Sequence, residues 1–178
     1  MAKIFDNLTP ELQEFIRNQK IFFVGTAGKE GLVNVSPKGM DSFRIINNNM
    51  AQWLNVTGSG NETAAHILEN GRMTIMFCAF ENKPLILKLY GQARAIHPRD
   101  NEWQNLISEF PPLPGARQIF ELDIDKVISS CGMGVPLFDY VEDREQLNNW
   151  ATKKGQDEIE HYWKDKNSLS LDGKPTNI

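Results

Sequence analysis

The chain has 178 residues, enough for one domain, of which 40% are hydrophobic and 24% are charged. That composition is typical of a globular protein and excludes a collagen or a disordered chain. The net charge of −4 excludes a general attraction to nucleic acid, and no apolar run reaches the roughly 20 residues of a transmembrane helix. We therefore expect a single domain over residues 1–178 that binds neither nucleic acid nor membranes.

Two cysteines, Cys78 and Cys131, lie far apart, and the first residues turn acidic too early for a signal peptide. Both features are typical of a protein in the reducing cytoplasm. The histidines are scattered and have no cysteine partners at metal-ligand spacing, so we expect no metal site.

The predicted elements begin with a helix, because Thr9-Pro10-Glu11 combines a capping hydroxyl, a proline suited to the first helical position and an acidic residue. Apolar runs predict strands at residues 21–24, 32–36, 43–46, 51–56, 72–80, 85–96 and 118–129. Further helices are predicted at residues 63–69, 100–110 and 143–163, the last with a break at Gly155. Because tight turns join most strands, we expect a mainly β fold, an antiparallel sheet or β-barrel, with an N-terminal helix, a C-terminal helix and a polar tail.

One glycine pattern superficially suggests dinucleotide binding. Gly25-x-x-Gly28-x-x-Gly31 follows the first strand. These glycines lead into another strand rather than into a helix that could hold a pyrophosphate, so we interpret them as a hairpin turn.

A better candidate for ligand binding is the loop of small residues between the strand at 51–56 and the helix at 63–69. Its residues are Thr57, Gly58, Ser59, Gly60, Asn61, Glu62 and Thr63. Small residues let the backbone approach a ligand closely, and the free amides at a helix start favour an anion. The alternative is a capped helix start, with Asn61 as the cap and the glycines as a turn.

Two other segments place small residues beside charged or reactive ones. Ser36-Pro37-Lys38-Gly39 follows Val35 at a strand end and would bring a mobile cation to an anion; the alternative is an exposed turn with a solvated lysine. Residues 129–136, which include Cys131 and Gly132, are mostly small and follow a predicted strand. Small residues in a passage from strand to loop can line the face of a flat ring. No neighbour in sequence activates Cys131, so we expect a buried, unreactive thiol.

Taken together, these segments make the chain resemble the pyridoxamine 5′-phosphate oxidase-like family of FMN-binding split barrels, over about residues 21–96. Thr57 and Gly60 match the family's phosphate loop, in which Asn61 replaces a serine and Glu62-Thr63 replace an Arg-Lys pair. Lys38 is the candidate for the family's preceding phosphate-binding lysine. Residues 70–77 and 87–93 look like the family's two central strands.

The whole chain is more similar to a subgroup known only as related to that oxidase. The shared segments are Ser36-Pro37-Lys38-Gly39, Gly60-Asn61-Glu62-Thr63, Cys131-Gly132-x-Gly134-Val135-Pro136 and Ser170-Leu171-Asp172-Gly173. The tail lacks the basic segment with which the bona fide oxidase holds its substrate phosphate, so the resemblance does not extend to vitamin B6 oxidation. We expect the Glu62 carboxylate to face an amide, or a cation such as Arg72 or Lys88, rather than the phosphate.

The resemblance implies a homodimer with FMN in a groove between the subunits. The phosphate would lie at residues 59–63 and Lys38. The isoalloxazine ring would lie along Val35, Ser36 and Pro37, near Cys131 and Gly132 of the same or the other subunit.

The implied activity is that of an FMN-dependent oxidoreductase acting on a small molecule, with no residue assigned as a general acid or base. Three alternatives stay open: a flavin-storage module without turnover, the same barrel with haem or a deazaflavin, and a barrel that has lost its cofactor.

Overall fold

The structure is a computed structural model that describes residues 2–178. Its strands are β1 (Lys3–Phe5), β2 (Phe22–Ala27), β3 (Val33–Lys38), β4 (Phe43–Asn47), β5 (Met50–Val56), β6 (Arg72–Cys78), β7 (Ile86–Ile96) and β8 (Ala116–Ser130). Its helices are α1 (Pro10–Arg17), α2 (Glu62–Asn70), α3 (Trp103–Ile107) and α4 (Gln146–Lys166). Within the described residues, no helix is long and apolar enough to cross a membrane.

The strands form one antiparallel sheet in the order β3-β2-β6-β7-β8-β5-β4, with β1 paired to β8. The two terminal strands of this order, β3 and β4, do not pair with each other, so the sheet is not closed. The sheet is nevertheless curled, since two strands that are distant in its order meet across its inner face. Lys38 of β3 lies over the ring of Trp53 in β5, with 5.1 Å between Nζ and the ring centroid. The predicted mainly β, split-barrel fold is thus confirmed.

The main core lies inside the curled sheet. Trp53 of β5 and Phe120 of β8 stack there with ring centroids 4.8 Å apart, and both are fully buried. Leu12 and Ile16 cover this core from α1. A second cluster lies beneath α3, and a third is formed by Ala151, Ile159 and Trp163 of α4.

Local signals account for the helix ends. The Thr9 hydroxyl caps α1 by accepting a hydrogen bond from the Leu12 amide at 3.4 Å. Gly71, in the left-handed conformation, ends α2 with φ of 69°. The predicted break in the C-terminal helix is confirmed at Gly155, where φ is 74°.

Several predicted boundaries were wrong. β2 continues through Gly25 to Ala27, so the glycine turn begins only after it. β3 extends to Lys38, and Pro37 pairs with Phe23 inside a strand rather than forming a turn. A proline is compatible with this position because β3 is a sheet edge that pairs with β2 on one side only. The helix predicted at residues 100–110 is confined to α3, and the three-residue β1 was not predicted.

Candidate functional site

The loop between β5 and α2 ends at Asn61, the residue before the first helical turn. The Asn61 side chain is buried, with 3% of the residue exposed, and it makes no capping hydrogen bond. Neither its oxygen nor its nitrogen has a partner within residues 2–178. A buried amide without partners is costly, so this side chain is suited to a ligand at the start of α2.

Arg117, at the start of β8, lies against the same loop. Nη1 and Nη2 each donate a hydrogen bond to the Gly60 carbonyl at 3.2 Å, and Nη1 also donates to Asn167 Oδ1 at 2.6 Å. Arg117 Nε is buried and has no partner in the described chain. Burial lowers the pKa of Arg117 to about 10, which leaves the guanidinium charged at neutral pH.

Lys38 supplies a second cation, within electrostatic range of Arg117. Burial, and secondarily repulsion by Arg117, lower the pKa of its ammonium to about 8. Among residues 2–178, neither Lys38 nor Arg117 has a carboxylate oxygen within 4.0 Å. The helix start, the unpartnered amide of Asn61 and the Lys38 ammonium all favour an anion, so these residues fit the phosphate group of FMN.

The first three residues of the predicted phosphate loop, 57–59, form hydrogen bonds that hold the loop in place. The Thr57 hydroxyl donates to the Gly115 carbonyl at 2.8 Å and accepts from Trp163 Nε1 at 2.7 Å. The carbonyls of Gly58 and Ser59 accept from Asn167 Nδ2, at 3.2 and 3.4 Å. These contacts fasten the loop to the end of α4.

Glu62 and Thr63 are directed to other parts of the chain. Both Glu62 carboxylate oxygens accept from the Leu171 amide at 3.1 Å, which confirms the expectation that this group faces an amide. Thr63 Oγ1 accepts from Asn34 Nδ2 at 3.2 Å and so joins α2 to β3.

Residues of β3 alternate between the two faces of the curled sheet. Lys38 and Ser36 share the partly buried face, whereas Val35 and Pro37 lie on the other face and are exposed. The predicted ring-binding run Val35, Ser36 and Pro37 therefore presents side chains to both faces of the sheet.

Cys131 and Gly132 lie in the loop after β8. Cys131 is exposed, so the prediction of a buried thiol was wrong. The chain leaves the sheet immediately after Ser130, which places this residue outside the core. Gly132 has φ of 63°, and a Cβ there would lie 2.9 Å from the Leu85 nitrogen. Among the described residues, no hydrogen bond joins Cys131 or Gly132 to Lys38 or to the loop at 57–63.

A cavity of about 1060 Å³ opens beside the end of β3. Pro37, Lys38 and Gly39 form one wall, and residues 138–147 form another. Phe138 closes against Phe80, with ring centroids 5.6 Å apart and a 2.9 Å hydrogen bond from the Phe138 amide to the Phe80 carbonyl. Sequence reasoning missed this cavity because no motif marks residues 138–147.

Sequence reasoning also missed Arg117 and Asn167. In the sequence, Arg117 is only a charged residue before the predicted strand at 118–129, and Asn167 is only a polar residue after the predicted C-terminal helix. Neither position indicates a binding site. Their pairing across 50 residues depends on the docking of α4 against β8.

Comparisons with known proteins agree with this fold. A family model described as pyridoxamine 5′-phosphate oxidase matches residues 8–131. The ustO protein of Aspergillus flavus, described as a pyridoxamine 5′-phosphate oxidase family protein, is 35% identical over 193 residues, covering 98% of this chain and 78% of that protein.

Two solved structures share the fold at low identity. A HupZ variant from Group A Streptococcus has a TM-score of 0.57 and 18% identity, covering 69% of this chain and 99% of its own. The FAD binding protein from Mycobacterium smegmatis has a TM-score of 0.53 and 12% identity, covering 72% and 98%. The family model and the Aspergillus relative together show that the chain belongs to the pyridoxamine 5′-phosphate oxidase family.

Proposed function

We propose that this protein is an FMN-dependent oxidoreductase that acts on a small molecule and holds the FMN phosphate at the start of α2. The observation that carries the proposal is the Lys38 ammonium, which lies partly buried within electrostatic range of Arg117 and has no carboxylate partner in residues 2–178. Arg117 in turn donates to the Gly60 carbonyl, next to that helix start. A protein of the same fold that is named for FAD binding supports a flavin as the ligand.

In this proposal the chain's own residues bind and orient the cofactor. Lys38 and the first-turn amides of α2 bind the phosphate, and the Asn61 side chain donates its unpartnered N–H to a phosphate oxygen. Val35, Ser36 and Pro37 of β3 lie beside the ring, with Cys131 and Gly132 approaching from a second subunit. When bound, the flavin supplies hydride-transfer chemistry.

The first experiment measures FMN retention. The purified protein is mixed with FMN and desalted, and we expect its visible spectrum to show one FMN per chain. Lys38→Met removes a charged hydrogen bond worth about 1.5–3 kcal/mol, so we expect the Kd for FMN to rise about tenfold or more.

Lys153→Met is the matched control, because Lys153 is exposed on α4 and its loss changes the net charge equally. We expect this variant to bind FMN as the wild type does. A wild-type protein that retains no FMN, or a Lys38→Met variant with an unchanged Kd, would contradict the proposal.

Turnover distinguishes an enzyme from a storage module. We expect NADH or NADPH to bleach the bound flavin without oxygen, and a small-molecule acceptor or dioxygen to restore its absorbance. A flavin that both donors leave oxidised would favour storage.

A further inference from the structure

We propose that Arg117 binds the phosphate through a bidentate contact and restricts the site to phosphomonoesters, while Asn167 positions its guanidinium. This inference rests on the proposed FMN site and adds a residue that no motif of the phosphate loop contains.

The hydrogen bonds of Arg117 leave one edge of its guanidinium free. Arginine has five N–H donors. Three of them donate to the Gly60 carbonyl and to Asn167 Oδ1, two through Nη1 and one through Nη2. The remaining donors are the N–H of Nε, which is buried without a partner, and one N–H of Nη2. These two N–H groups lie side by side, in the geometry that pairs with two oxygens of a phosphate.

The charge of Arg117 also favours a bound anion. The residue is 2% exposed, and within residues 2–178 its fixed partners are a carbonyl and an amide, neither of which carries a charge. A buried cation is stabilised by a counter-ion, and Lys38 adds a second positive charge within range of the first. Two cations match a phosphomonoester, which carries nearly two negative charges at neutral pH.

Asn167 fits a positioning role. The residue is completely buried at the end of α4, and its amide bridges Arg117 on one side and the Gly58 carbonyl on the other. An amide at this place orients the guanidinium without neutralising it, whereas a carboxylate would compete with the phosphate. The first turn of α2 adds no cation, since Glu62, Thr63 and Ala64 are not basic. The Glu62 carboxylate is directed to the Leu171 amide, away from the proposed anion.

The experiment compares FMN with riboflavin, which lacks only the phosphate. We expect Arg117→Gln to weaken FMN binding at least tenfold and to change the Kd for riboflavin less than twofold. Arg117→Lys keeps the charge but not the paired donors, so its Kd for FMN should lie between those of Arg117→Gln and the wild type. Arg17→Gln, on the surface of α1, controls for net charge and should bind as the wild type does.

Two results of this comparison would overturn the inference. One is an Arg117→Gln variant that binds FMN as the wild type does. The other is a variant that loses FMN and riboflavin to the same extent, which would make Arg117 a purely structural residue. If Arg117→Gln does not fold, Arg117→Lys gives the same test, because it keeps the charge and loses the paired donors; we expect it to weaken FMN binding while leaving the Kd for riboflavin unchanged.

Inorganic phosphate separates this inference from the proposed function. We expect phosphate to raise the Tm of the wild type but not of Arg117→Gln. A wild type that responds to phosphate and binds no flavin would contradict the proposed function and support the anion site. A wild type that binds FMN, with the same phosphate response in Arg117→Gln, would support the proposed function and overturn this inference.

Discussion

Lys38 is the residue of the candidate site whose charge changes close to neutral pH. Burial, with a smaller contribution from Arg117, lowers the pKa of its ammonium to about 8, whereas Arg117 stays charged with a pKa of about 10. The proposed phosphate ligand is a dianion above about pH 6. Between pH 7 and 9 the change in electrostatic attraction therefore comes from Lys38.

FMN affinity should consequently fall as the pH rises. Below pH 8 most of the free protein carries the Lys38 ammonium. Above pH 8 the protonated fraction of Lys38 falls about tenfold with each pH unit. We expect the Kd for FMN, measured by flavin fluorescence, to rise roughly tenfold between pH 7 and 9. Lys38→Met should show a nearly flat profile, and a wild-type profile as flat as that variant's would contradict the role of Lys38.

The long strand pair β7 and β8 is the element on which the site depends, because β8 carries Arg117 at its start. The register of this pair shifts between Tyr90 and Gly91. A Cβ on Gly91 would overlap the Asp123 carbonyl oxygen and lie 2.8 Å from the Asp123 carbonyl carbon. The close approach of the two backbones at this point requires glycine.

Gly91→Ala should therefore destabilise the protein. Because the clash is with backbone atoms, which cannot rotate away, we expect a loss of about 3 kcal/mol in the free energy of unfolding, measured by urea denaturation. Gly25→Ala in β2 is the matched control, since its Cβ would lie 3.8 Å from the nearest atom. We expect that control to change stability by less than about 1 kcal/mol, and equal losses in both variants would refute the packing argument.

At the scale of the whole molecule, β3 is an edge strand with apolar side chains on its outer face. Val33 is 73% exposed and Val35 is 65% exposed. Edge strands of this kind pair with or pack against another chain unless charges protect them. This face is suited to the second subunit of the proposed homodimer.

Val33→Lys should disrupt that dimer, since Val33 lies on the outer face of β3 and outside the proposed flavin site. A charge buried at an interface is costly, so sedimentation should show a dimer for the wild type and a monomer for the variant, with loss of FMN retention if the site spans both subunits. Ile4→Lys, which alters an exposed apolar residue of β1, should leave the dimer intact. A wild type that is monomeric at high concentration with FMN bound would contradict a cofactor site at the interface.

The sequence by itself determined the fold class and the main helices and strands, although it missed β1 and the true length of α3. The Thr9 hydroxyl caps the start of α1 through a hydrogen bond three residues away. Gly71 at the end of α2 and Gly155 within α4 act through their own backbone conformation. The alternation of apolar residues likewise acts within each strand, and tight turns favour antiparallel neighbours. Such signals are local, so reading along the chain is sufficient to find them.

Only the tertiary structure decided how the candidate site is built. Pro37 is compatible with a strand because β3 lies at the sheet edge. Glu62 turns away from the helix start because its carboxylate accepts a hydrogen bond from the Leu171 amide, 109 residues later. Arg117 meets Asn167 because α4 docks beside β8. These contacts depend on strand order and helix docking, and neither is encoded in the spacing of neighbouring residues.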